Sequence, residues 1–136
     1  STRPWQHVLE PLSGYLQLGK YLNQQKFNGE SFNFGPTIAN SKSVKYLINE
    51  VKDNLPNFKF KFSKINSFKE HKLLQLNCEK AKKKLKWSSR LSFKNTIKFT
   101  LDWYKKFDNK HDMSIYCIYQ IEKFNKYEKK NKNNKK

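Results

Sequence analysis

Of the 29 basic residues in the chain only Arg3 and Arg90 are arginine, the side chain whose planar fork grips phosphate oxygens two at a time. Arg3 stands beside Pro4 and Trp5, so from residue types it either meets an anion or stacks on the neighbouring ring. The three histidines, His7, His71 and His111, are far apart and have no carboxylate or cysteine at metal-ligand spacing, so no metal site is expected. Cys78 and Cys117 form no CxxC pair and no Cys/His cluster, which predicts two reduced thiols used in packing. Gly14, Gly19, Gly29 and Gly35 are dispersed; neither GxGxxG nor GxxxxGK occurs, and the chain by itself is expected to hold no dinucleotide. No serine sits in a GxSxG setting, so an esterase-type nucleophile has no support either. From the residues alone the reading stops at a soluble, lysine-rich α+β domain with no catalytic residue.

The formal net charge of +18 would ordinarily point to nucleic acid or an anionic membrane surface. Nearly all of it is lysine, accompanied by many Asn, Ile, Phe and Tyr residues, the pattern of an AT-rich coding sequence drifting at exposed positions. A basic nucleic-acid-binding module, the alternative, should show an arginine-rich stripe or surface aromatics beside lysines. No apolar run approaches the roughly 18 residues of a membrane span, and no charged-then-apolar leader is present; a cytoplasmic protein without membrane attachment is expected. The chain starts at Ser1 and is in an apolar periodic pattern by Val8 with no cap before it, which reads as a cut edge.

The elements that must position these residues fit one modest domain, since 136 residues with 36% apolar content can build one core. Val8, Leu12, Tyr15, Leu16 and Leu22 predict a helix from Glu10 to Gln24, with Pro11 tolerable in its first turn. Asn28-Gly29 predicts a turn, followed by a short strand through Phe32 and Phe34 that stops at Gly35-Pro36. Val44, Leu47, Ile48 and Val51 predict a helix capped by Ser41 or Ser43 and ended by Leu55-Pro56. Phe58, Phe60 and Phe62 alternate with lysines, the clearest strand signal in the chain, and their rings are assigned to the core. Leu74 and Leu76 mark a further extended piece. Asn77 then caps a helix bearing Cys78, Ala81 and Leu85 and closed by Trp87. Phe93, Ile97, Thr100, Leu101 and Tyr104 give the most regular helix, and Met113 to Phe124 is read as another despite its β-branched content. The fold class is α+β, short strands among four to five helices, over residues 1–125. The Lys/Asn tail at 126–136 cannot bury apolar surface and is expected to be disordered.

The opening run Arg3-Pro4-Trp5-Gln6-His7-Val8-Leu9-Glu10-Pro11-Leu12-Ser13-Gly14-Tyr15 resembles the CDP-glucose 4,6-dehydratases, a family of extended short-chain dehydrogenases, in the stretch that follows their substrate loop. Further segments match in the same order: Glu30-Ser31-Phe32-Asn33-Phe34-Gly35-Pro36, then Glu70 to Ala81 with Leu85-Lys86-Trp87, then Trp103-Tyr104, Asp112-Met113 and Ile121-Glu122. The resemblance covers almost everything before the tail.

The resemblance implies the carboxy-terminal, substrate-binding subdomain of such an enzyme, with the Rossmann half absent. It implies conversion of CDP-glucose to CDP-4-keto-6-deoxyglucose in deoxysugar and lipopolysaccharide biosynthesis. NAD, held by the amino-terminal half, would take a hydride from C4 and return it to C6 after loss of water. By the same resemblance Arg3 contacts the diphosphate, Asn33 lies near the nucleotide, and Gln6, His7 and Glu70 line the pocket. Related epimerases carry a second arginine where this chain reads Phe68-Lys69-Glu70-His71, so Lys69, His71 or Lys72 would replace it. The implied partners are a CDP-sugar, the Rossmann half and further copies in a homo-oligomer. Another nucleotide-sugar dehydratase or epimerase of the superfamily is the second reading. From the residues themselves Asn33 is equally a turn-capping side chain and His7 a packed, hydrogen-bonded one.

Overall fold

The computed structural model describes residues 2–61 and 75–133, with side chains as far as 127. It is mostly helical, with one two-stranded sheet. Strand β1 (Thr2–Pro4) pairs antiparallel with β2 (Ser41–Ser43), Arg3 opposite Lys42. Helix α1 (Leu9–Leu22) lies between them in sequence, and α2 (Val44–Asn54), α3 (Glu79–Leu85), α4 (Phe93–Asp108) and α5 (Met113–Asn133) follow.

Local chemistry accounts for the helix ends. Ser43 Oγ accepts the backbone N–H of Tyr46 at 3.2 Å to cap α2, and Ser92 Oγ accepts that of Asn95 at 3.3 Å to cap α4. Helix α3 ends where Lys86 turns left-handed at φ 55 and the Trp87 N–H reaches back to the Ala81 carbonyl. Asp112 Oδ1 accepts from the N–H groups of Ser114 and Ile115 at the start of α5. No described helix is long and apolar enough to cross a membrane.

The core has two centres. Phe34, Ala81, Leu85 and Trp87 form one, under Leu18, Tyr21 and Phe27; its rings meet edge to face, Phe34 against Trp87 at 5.0 Å and Tyr15 against Phe34 at 5.5 Å. Leu91, Phe99 and Phe124 form the other, with Leu9 and Tyr127 against them. Polar ties join the two. Glu10 at the start of α1 accepts the backbone N–H groups of Arg90 and Leu91 at 2.8 and 2.7 Å, and the buried Asn40 amide donates to the Leu91 carbonyl at 3.0 Å.

Several strand expectations are corrected. Phe32 and Phe34 are assigned to no strand among the described residues; their rings serve the aromatic cluster, and Asn33 and Gly35 between and beyond them meet 77 and 78 through side-chain hydrogen bonds. Among the described residues Phe58 and Phe60 belong to no strand and to neither core centre: they stack on each other at 6.2 Å and stay 39% and 37% exposed. Phe62 and Leu74 lie outside the described residues, and Leu76 is assigned to no strand among those described. The actual strands, three residues each, carry no alternating apolar pattern. Helix α1 is also turned relative to expectation. Leu9, Gly14, Leu18 and Tyr21 face inward, whereas Val8, Leu12, Tyr15 and Leu16 are exposed. Helix α5 continues to Asn133, into the stretch for which composition predicts disorder; it propagates out of a segment anchored by Phe124 and Tyr127.

Candidate functional site

The opening run crosses three parts of the fold in five residues. Arg3 sits on β1, its Nη1 donating to the Thr2 carbonyl at 3.3 Å. The Trp5 indole N–H donates to the Lys42 carbonyl at 2.9 Å, fixing the exit of β1 against β2. The Gln6 amide then donates to the Phe34 carbonyl at 3.1 Å, tying the run to the segment that carries Asn33. His7 follows, 7% exposed and edge-on to Phe99 at 5.5 Å.

Gln6 and His7 together line a cavity of about 510 Å³ closed by Trp103, Tyr104, Cys117 and Gln120. The walls are held from behind: the Trp103 indole N–H points at Cys117 Sγ at 3.3 Å, and the Gln120 amide donates to the Phe99 carbonyl at 2.8 Å. His7 Nδ1 accepts the Leu9 N–H at 3.3 Å, which leaves the proton of the neutral ring on Nε2. Burial lowers its pKa from the ordinary histidine value, since a charged imidazolium loses its hydration there. His7 is therefore a neutral donor at pH 7 and not a cation for phosphate.

Asn33 is exposed on the segment leading out of the 27–29 turn. Its Nδ2 donates to the Asn77 carbonyl at 3.2 Å, while Asn77 Oδ1 accepts the Glu79 N–H at 3.0 Å. Gly35 N–H points at Cys78 Sγ at 3.1 Å. These contacts bring 33–35 and 76–78 together at the rim of a second cavity of about 730 Å³, between 35–39, 75–79 and 87–89. Asn33 keeps its carbonyl oxygen and one amide proton for a ligand.

The structure thus joins Gln6, His7 and Asn33 through the Phe34 carbonyl. It sets Arg3 on the neighbouring strand, outside the lining of both cavities. Glu70 lies outside the described residues, as do Lys69, His71 and Lys72. Asn77, Trp103 and Gln120 were not singled out by sequence as site residues; the position of Asn77 ahead of a helix was the one available signal. Among the described residues no three His, Cys, Asp or Glu side chains gather to hold a metal ion. Gly14 packs inside α1 against the Phe34 ring and Gly29 makes a turn at φ +73. The arrangement can hold a polar ligand by hydrogen bonds.

No family model matches the chain. The chain is 34% identical over 118 residues to the CDP-glucose 4,6-dehydratase of Salmonella typhimurium. The match takes in 85% of this chain and 33% of that relative, so the chain spans a third of the length of the protein it resembles. The likeness supports a relationship to a dehydratase.

Proposed function

We propose that this chain is the substrate-binding part of a nucleotide-sugar dehydratase that converts CDP-glucose to CDP-4-keto-6-deoxyglucose. The observation that supports it most is the likeness to the Salmonella dehydratase along most of the chain. Arg3 supplies a fixed charge for the diphosphate and Asn33 a carboxamide for the nucleotide. Gln6 and His7 line the adjoining cavity as neutral hydrogen-bonding groups, and Glu70 borders the substrate. In this reading NAD is held by residues outside these 136, because the four glycines here are dispersed and form no GxGxxG loop. No step through NAD is assigned to this chain. The dehydratase is cytoplasmic and homo-oligomeric on this proposal.

The deciding experiment expresses the complete reading frame that contains this chain and follows 4-keto product from CDP-glucose. GDP- and dTDP-glucose serve as competitors. Turnover of CDP-glucose in preference to the others supports the assignment. Turnover of another nucleotide-sugar moves the chain to a sister dehydratase, and turnover of none ends the proposal.

One observation favours a second reading. The stacked Phe58–Phe60 pair is partly exposed and shares a shallow hollow with Lys52, Lys59 and Lys61, the surface aromatics beside lysines that a single-stranded nucleic-acid binder would use. Oligonucleotide binding that is lost on Phe58→Ala and falls steeply with salt would support it.

A further inference from the structure

One ammonium group grips the three residues that lead into Asn33. Lys80, in the first turn of α3, places Nζ 3.0 Å from the Glu30 carboxylate. The same Nζ donates to the Ser31 carbonyl at 2.9 Å and lies 4.7 Å from the centre of the Phe32 ring. Lys84, one turn further and on the same face, adds a second contact to Glu30 at 3.2 Å and covers the Phe27 ring at 5.3 Å. Residue 33 comes next, and its own amide is held by Asn77, two residues ahead of α3. The Phe34 carbonyl beyond it is held by Gln6.

The backbone of 30–36 has no strand ladder to fix it, so its course depends on these side-chain ties. An ordinary surface ion pair joins two side chains and contributes little. Lys80 differs in kind: a carboxylate, a backbone carbonyl and a ring from three consecutive residues converge on one cation. That geometry specifies where the backbone runs, and with it the position of Asn33 relative to Gln6.

We propose that Lys80 is a positioning residue for nucleotide-sugar binding, acting through Asn33; the inference rests on the reading of Asn33 as a substrate contact given above. Glu30 and Lys84 complete the clamp. Lys80 itself touches no substrate.

The test uses the product of the complete reading frame and equilibrium binding of CDP-glucose, with amide hydrogen exchange across 30–36 as an independent readout. Lys80→Met, which keeps the stem and removes the charge, is expected to speed exchange at 30–36. It should weaken CDP-glucose about threefold to tenfold, the scale of one charged hydrogen bond at a partly exposed site. Lys80→Arg should restore both. Because the effect passes through Asn33, Lys80→Met combined with Asn33→Ala should bind no more weakly than Asn33→Ala does. Losses that multiply in the double variant, or unchanged affinity in Lys80→Met where Asn33→Ala weakens binding, overturn the positioning role. If Asn33→Ala leaves affinity intact, the reading of Asn33 falls and takes the inference with it. Unchanged exchange in Lys80→Met shows instead that the clamp is at fault.

Discussion

The carboxylate of Glu10 accepts a 2.7 Å hydrogen bond from the backbone N–H of Leu91, 81 residues further along the chain. The same oxygen takes the Arg90 N–H at 2.8 Å, while Oε2 is buried without a hydrogen-bond partner among the described residues. One side chain thereby joins the start of α1 to the connection between α3 and α4. Removing it strands two backbone donors, one of them buried. Glu10→Ala should destabilise the chain by about 2–3 kcal/mol, and Glu10→Gln, which keeps a carbonyl for both donors, should cost less. Thermal unfolding of the two variants checks the order; equal midpoints would show the bonds to be weak.

Burial holds the Glu10 pKa above the ordinary carboxylate value, against the pull of the Leu91 and Arg90 N–H groups. A carboxyl whose pKa is higher in the folded chain than in the unfolded one contributes stability that is fully present below the unfolded value near 4.5 and is lost as pH rises through the folded value. His7 works in the opposite sense, since its lowered folded pKa gives stability present above about 6.5 and lost as pH falls. The two overlap, so the chain's own pH profile does not isolate either. The difference in unfolding midpoint between the wild type and Glu10→Gln does: it should move in favour of the wild type as pH drops from 7 toward 4.5. A difference independent of pH would refute the assignment.

A Cβ on Gly14 would collide with the Phe34 ring, whereas one on Gly19 would meet nothing within 4 Å. Both positions lie in α1 and both gain up to about 1 kcal/mol of helix propensity on change to alanine. At Gly14 overpacking against a ring wedged between Tyr15 and Trp87 costs about 1–3 kcal/mol and outweighs that gain. Gly14→Ala should lower the melting temperature and Gly19→Ala should raise it slightly. A stabilised Gly14→Ala would show that Phe34 moves aside freely.

Helices were the legible part of this fold because their signals are local. Ser43 and Ser92 announce α2 and α4 by capping chemistry, and Phe93, Ile97 and Thr100 repeat at the helical period. The strands were not legible. Thr2–Pro4 and Ser41–Ser43 have no apolar face to pattern, and their pairing is decided by a contact 39 residues apart, from Arg3 to Lys42, and its neighbours. Phe58 and Phe60 alternate like a strand but are assigned to none among the described residues, which periodicity cannot reveal. On α1 the period was right and the face was not, because apolar residues occupy both sides and the inward side is chosen by Gly14 fitting under Phe34. Arg3, Gln6, His7 and Asn33 were named through a resemblance of motifs. What holds Asn33 and Gln6, the Asn77 carbonyl ahead of α3 and the Phe34 carbonyl, is a matter of tertiary placement that no spacing encodes.

Among the described candidate residues, Arg3, Gln6, His7 and Asn33, Arg3 is the one that carries a fixed charge. In the product of the complete reading frame, Arg3→Ala should raise the KM for CDP-glucose about tenfold to a hundredfold, the scale of a charge-assisted pair with a phosphate, while NAD stays bound. Arg3→Lys should recover part of the loss, since an ammonium keeps the charge but not the fork. An unaltered KM in Arg3→Ala would take Arg3 out of the site.

Composition predicts that everything after Phe124 is dispensable, and the contacts of Tyr127 and Asn125 give that boundary a test. Tyr127 leans edge-on against Phe99 at 5.9 Å and belongs to the cluster around Leu91, Phe99 and Phe124. Asn125 Oδ1 accepts from Arg90 Nη1 at 3.4 Å, next to the connection that Glu10 holds. Ending the chain after Phe124 removes both groups and leaves the last aromatic of the cluster on a fraying helix end. Ending it after Tyr127 keeps them and removes nine residues of the Lys/Asn-rich stretch 128–136. The shorter chain should therefore unfold at a distinctly lower temperature, by several degrees for the loss of one half-buried ring, and the longer should match the full chain. Equal midpoints for the two truncations would mean that Tyr127 contributes nothing and that the domain ends at Phe124; a loss in both would place structural weight on the lysine-rich residues themselves.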